Sequence, residues 1–127
     1  MEKEFVPYEQ ALALKELGFD EKCGACYYKK FDNEIGYHKV YRDFNFVQLT
    51  VSAPTFSQAF RFFREKYNFV SEINVYSTSD GYNFSFKILC KKYTPYIEAN
   101  NAWILHEEAE LACIRKLIEL AKEQKVK

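Results

Sequence analysis

The chain has 127 residues, which fits one ordinary domain and leaves no room for two, so a single domain over 1–127 is expected. Its 18 basic and 18 acidic residues cancel to a formal net charge of zero, which disfavours duplex nucleic acid as a partner and lacks the polybasic clusters of a membrane-surface protein. The N-terminal "MEKEFVPYEQ" has no apolar core of a secretory signal, and no apolar run approaches the roughly 18 residues of a membrane span. The expectation is a cytoplasmic protein with no membrane association, whose cysteines are reduced thiols.

The first predicted element is a helix over about 7–17. Pro7 is suited to its first position, "EQALALKEL" supplies good helix formers, and Gly18 stands where a left-handed residue ends a helix. "CGACYYKKFDNEIGYHKVYRDFNFVQLTVS" follows, rich in aromatic and β-branched residues. With turn signals at Asp32-Asn33 and Gly36, it reads as two strands in a hairpin, the second running to about Val51. In that reading Cys23, Gly24 and Ala25 form the bend out of the helix, and Cys26, Tyr27 and Tyr28 begin the strand.

The second helix is predicted in "APTFSQAFRFFREKYNF", with Pro54 at its start and Asn68 near its end. Phe56, Ala59, Phe60, Phe63 and Tyr67 recur at helical spacing and form one apolar stripe. Phe62 lies off that stripe, on a side shared with Gln58, Lys66 and Phe69. It is read either as part of a helix wedged between two layers or a partly exposed ring, or as an anchor for a partner. "SEINVYSTSDGYNFSFKILC" is a hairpin turning at Asp80-Gly81, with Ile73 and Val75 alternating with polar residues and Phe84, Phe86 and Ile88 alternating on the return. "KKYTPYIEANNAW" reads as a loop, and a last helix is predicted from about 105 to 124 with Leu111, Ile114, Leu117, Ile118 and Ala121 on its apolar side. The order α-β-β-α-β-β-α predicts an α+β fold, with a twisted antiparallel sheet and helices packed mainly on one face.

Two short patterns invite a chemical reading. Cys23 and Cys26 form a C-x-x-C, but a structural zinc site needs four ligands, and Cys90, Cys113, His38 and His106 are scattered. A redox pair needs a helix N-terminus to lower its thiolate pKa, and this pair leaves a helix and enters a strand. "HEEAE" at 106–110 approaches the zinc-protease motif H-E-x-x-H, yet position 110 is glutamate. No metal and no cofactor are therefore expected. His106, Glu107 and Glu110 stay candidates for a polar pocket, because both acids continue the apolar stripe of the last helix into its first turn. The bland alternative is that acids in a first turn complement the helix dipole.

The residues quoted in "PYEQALALKELGFDE", "APTFSQAFRFFREKYNF" and "HEEAELACIRKLIEL" span most of the chain. Together they resemble a family of small proteins encoded by bacteriophages and by prophage-like regions of Bacteroidetes genomes. The resemblance implies the cytoplasm of a bacterial host as a setting and carries no catalytic residues with it. Small accessory proteins of that kind act by binding, for example against host enzymes or nucleotide signals of host defence.

The aromatic share of 18% fits the same class, since tyrosine, tryptophan and phenylalanine are enriched at interfaces. The expectation is a non-enzymatic protein that acts through a protein partner or by self-association as a homo-oligomer. Phe62, Tyr27, Tyr28, Tyr41 and Lys66 are its candidate binding residues. One alternative is a binder of a nucleotide-like small molecule, stacking on aromatic rings beside a lysine. A metal-dependent or thiol enzyme is the other.

Overall fold

Pro7 stands at the head of α1 (Tyr8–Glu16), and its carbonyl accepts the amide of Ala11 at 2.9 Å. The helix ends in a Schellman arrangement. Gly18 takes a left-handed φ of 94°, its amide donates to Lys15, and the amide of Phe19 donates to Leu14. Leu14 and Phe19 are both buried, which adds the hydrophobic contact that accompanies this cap. In the computed structural model, residues 4–28, 34–46, 50–90, 93–99 and 102–126 are described.

Three helices and two antiparallel three-stranded sheets make up an α+β fold. The remaining elements are β1 (Cys23–Tyr28), β2 (Glu34–Arg42), β3 (Thr50–Ser52), α2 (Phe56–Tyr67), β4 (Val70–Thr78), β5 (Gly81–Cys90), β6 (Tyr93–Glu98) and α3 (His106–Val126). The chain divides into two compact units, 1–59 and 60–127, with α2 running across the boundary.

In the first unit the sheet order is β2-β1-β3. The strand begins at Cys23 rather than at Cys26, so Cys23, Gly24 and Ala25 belong to β1 and the bend lies before them. The pairing with β2 slips between Cys23, opposite Arg42, and Ala25, opposite Tyr37. Gly36 sits within β2 opposite Cys26, so it is not a turn residue, and Asp32-Asn33 lie outside the described residues. A Cβ at Gly36 would collide with the Tyr28 ring, which lies diagonally across the pair.

The second strand does not run on to Val51. It stops at Arg42, and Phe44–Phe46 form a 3-10 turn. Side chains and backbone cross-link that turn. The Asp43 carboxylate accepts the amide of Asn45 at 2.9 Å, Thr50 Oγ1 donates to the Phe44 carbonyl at 2.7 Å, and the Phe44 amide donates to Ser52 Oγ at 2.9 Å. Asn45 donates to the carbonyl of Phe19 and accepts the amide of Ser52. Short polar side chains that bond the nearby backbone favour a turn over a ladder, and here they outweigh the strand-like alternation of the phenylalanines. Residues 47–49 lie outside the described residues.

α2 opens on Thr55, not Pro54. The Gln58 amide donates to Thr55 Oγ1 and the Thr55 amide donates to Gln58 Oε1, at 3.2 and 3.0 Å. This is a reciprocal capping box, written in the sequence as T-F-S-Q. The helix ends at Asn68, which takes a left-handed φ of 59°.

The second unit builds on the sheet order β4-β5-β6. β4 and β5 pair without a slip from Val70–Leu89 to Thr78–Gly81, so the two turn residues are Ser79 and Asp80. Gly81 follows the turn at φ 135°, a conformation L side chains rarely adopt. β6 was expected to be loop. It is an edge strand carrying Pro95, which an edge tolerates because the missing N–H need not join a ladder. Beyond it the chain returns to β5 at Trp103, whose amide and carbonyl exchange hydrogen bonds with those of Phe84 at 2.8 and 2.7 Å. α3 packs on β4 and β5. Its buried residues are Ala109, Cys113, Ile114, Leu117, Ile118, Leu120 and Ala121, while Leu111 is half-buried.

Candidate functional site

Phe84 is the centre of the one place where candidate polar residues and exposed apolar side chains meet among the described residues. Paired residues of an antiparallel ladder share a face, so Ile73–Phe86, Val75–Phe84 and Ser77–Tyr82 define one face of the second sheet. Burial thins out along it. Phe86 and Ile88 are buried and Phe84 is half-buried, but Val75 is 59% exposed and Tyr82, at the hairpin end, 67%. The backbone bridge sets Trp103 beside Phe84, and the Trp103 ring stacks on Phe86 with centroids 5.8 Å apart. Directly after Trp103 come Ile104, 77% exposed, and Leu105, 51% exposed. An apolar cluster of this kind at one end of a sheet marks an interaction surface more often than a scatter of single exposed residues does.

His106 forms the polar rim. Its ring meets Phe84 edge-on, with centroids 5.4 Å apart and planes at 86°. Its Nδ1 lies 3.2 Å from Oε1 of Glu110, one helical turn along α3. Burial pushes the Glu110 carboxyl above its ordinary value, with His106 opposing the shift and the Glu107 carboxylate adding to it. The structure therefore brings the sequence candidates His106, Glu107 and Glu110 to one place. A carboxylate on Nδ1 orients an imidazole. No three metal-ligating side chains converge among the described residues.

No protein family, curated protein or solved structure matches this chain.

The other candidates lie elsewhere. Tyr27 is buried, its hydroxyl donates to the Val6 carbonyl at 2.6 Å, and its ring meets Tyr8 edge-on. Tyr28 is half-buried beside Gly36, and burial and the neighbouring Cys26 raise its phenol pKa. Tyr41 is a β2 residue whose side chain lies outside the described residues, as does that of His38. Phe62 is buried in an aromatic cluster of the second unit with Phe63, Tyr67 and Phe69. The Lys66 ammonium sits 5.4 Å from the Phe62 centroid and 5.8 Å from that of Tyr67. These rings pack on each other and under a lysine, which leaves Phe62 no open face of the kind a stacked base needs.

Cys23 and Cys26 are both fully buried in β1, and Cys23 Sγ donates to the Glu21 carbonyl at 3.6 Å. Burial pushes the thiols of Cys23 and of Cys113, in α3, up to about 12, so both are neutral at physiological pH. Neutral buried thiols are poor nucleophiles and poor metal ligands.

Proposed function

We propose that the chain is a non-enzymatic accessory protein that binds a protein partner through the apolar end of its second sheet. Its setting in this reading is the cytoplasm of a phage-infected bacterium. The observation that carries the proposal is the exposure of Val75, Tyr82, Ile104 and Leu105 around a half-buried Phe84. Tyrosine and isoleucine left this exposed gain most when a partner covers them, and the His106–Glu110 pair gives the patch a hydrogen-bonding edge. No helix among the described residues is long and apolar enough to cross a membrane, which supports a partner in aqueous surroundings.

The test is site-specific photocrosslinking in bacterial cells. A photoreactive residue at Tyr82 is expected to give a discrete adduct with another protein, and the same group at the exposed Glu119 of α3 is not. No adduct from either position, or the same adducts from both, would overturn the proposal.

A further inference from the structure

We propose that the chain forms a homodimer by pairing β4 with β4 of a second copy, antiparallel and centred on Asn74. The second sheet has two edges, and they are built differently. β6 carries Pro95, and its pairing with β5 slips between Ile88 and Cys90. Proline and irregular register are ordinary protections against edge-to-edge association. β4 has neither. It runs nine residues in unbroken register, "VSEINVYST", with no proline and no lysine.

The backbone fixes which groups face outward. On β5, Phe84 exchanges its amide and carbonyl with Trp103, and the Phe86 carbonyl accepts from Ala99, so both residues point their polar groups away from β4. Their ladder partners Val75 and Ile73 therefore sit in non-hydrogen-bonded pairs, with N–H and C=O directed to the open edge. By the same alternation Ser71 and Ser77 do likewise. No described residue hydrogen-bonds to that edge.

A two-fold axis at Asn74 uses all four of these residues. It sets Ile73 against Val75 of the second copy and Ser71 against Ser77, each pair exchanging both backbone bonds. Side chains agree with this register. Glu72, the only charged residue in β4, falls opposite Tyr76 of the second copy, and the two Glu72 carboxylates stay four residues apart along the ladder. Glu72 keeps its own partner, Lys87, at 3.9 Å. Formal net charge is zero, so two copies meet without net repulsion. The apolar face of Ile73 and Val75 then continues across a six-stranded sheet. The pairing shares Val75 with the patch around Phe84, and sedimentation of the purified chain reads self-association apart from any other partner.

Sedimentation velocity on the full chain, with amide hydrogen exchange followed by NMR, tests the pairing. The expected result is a species of twice 15.1 kDa in which the Ile73 and Val75 amides exchange slowly. Val75→Pro removes one outward donor without touching a β4–β5 bond, and Val75→Lys places a charge at the axis-proximal pair. Both are expected to yield monomers with unchanged circular dichroism. A monomer at all micromolar concentrations would overturn the proposal. So would a dimer with freely exchanging Ile73 and Val75 amides, or protection of those amides that appears only when an unrelated strand peptide is added.

Discussion

His106 Nδ1 and Glu110 Oε1 stand 3.2 Å apart at the start of α3, where Glu110 is half-buried. Burial raises the Glu110 carboxyl above 4.5 despite the opposing imidazole. A carboxyl with a raised folded-state pKa contributes stability that is fully present below its unfolded value and is lost as pH rises through the folded one. In urea unfolding, wild type is therefore expected to lose stability relative to Glu110→Gln as pH rises above 4.5, and the difference levels off once Glu110 is ionised in both states. Parallel stability curves for the two proteins across this range would rule out a desolvated Glu110.

Two tyrosine-to-phenylalanine changes are expected to have opposite signs. The Tyr27 hydroxyl is buried and bonded to the Val6 carbonyl, so Tyr27→Phe strands that acceptor and costs about 1–2 kcal/mol. The Tyr67 hydroxyl is buried without a hydrogen-bond partner among the described residues, so Tyr67→Phe removes an unsatisfied group and stabilises by up to about 1 kcal/mol. Chemical denaturation of the two variants side by side gives the comparison. Equal shifts in the same direction would contradict both assignments.

Alkylation separates the four cysteines. Cys23, Cys26 and Cys113 are buried and Cys90 is half-exposed. With iodoacetamide at pH 8 the native protein is expected to take its first label at Cys90, and the other three only after unfolding. Burial holds Cys23 and Cys113 at about 12, so the thiolate that reacts is absent from them in the folded state. Rapid native labelling of Cys23 or Cys26, read by peptide mass spectrometry, would reopen a redox or metal role for the pair.

Gly36 and Tyr28 are expected to couple. Gly36→Ala pushes a methyl into the Tyr28 ring and destabilises the first unit, while the same change on a Tyr28→Ala background costs less. A double-mutant cycle should return a coupling energy of about 0.5–1 kcal/mol. Additive effects would mean that the ring does not lie over the glycine.

Local signals account for the parts of the fold that were legible in the sequence. Pro7 and Gly18 bound α1, the aromatic stripe locates α2, and alternation finds the β4–β5 hairpin to within one residue of its turn. The capping box Thr55–Gln58 was equally readable and marks the helix start better than Pro54 does. Other features depend on distant partners. "FNF" alternates like a strand, and only the bonds from Asp43, Thr50 and Ser52 fold it into a turn. Pro95 reads as loop unless the strand is known to lie at an edge.

The candidate site shows the same division. His106, Glu107 and Glu110 share a helical turn, so their proximity follows from spacing alone. Tyr27 meets Val6 across 21 residues, and no periodicity reveals that contact. The exposure of Ile104 is likewise hidden, since isoleucine is among the residues most often buried, and that of Tyr82, of a type with no strong preference, follows only from its place at the hairpin end.

The most direct measurement of the central claim is the yield of the cross-linked adduct formed in bacterial cells by a photoreactive residue at Ile104. It is compared between an otherwise unaltered chain and one carrying Tyr82→Lys. Tyr82 is exposed, so the substitution should change stability by no more than about 0.5 kcal/mol. The account predicts a discrete adduct with another protein that is lost with Tyr82→Lys. An adduct of undiminished yield in the folded variant, or none in either chain, would contradict it.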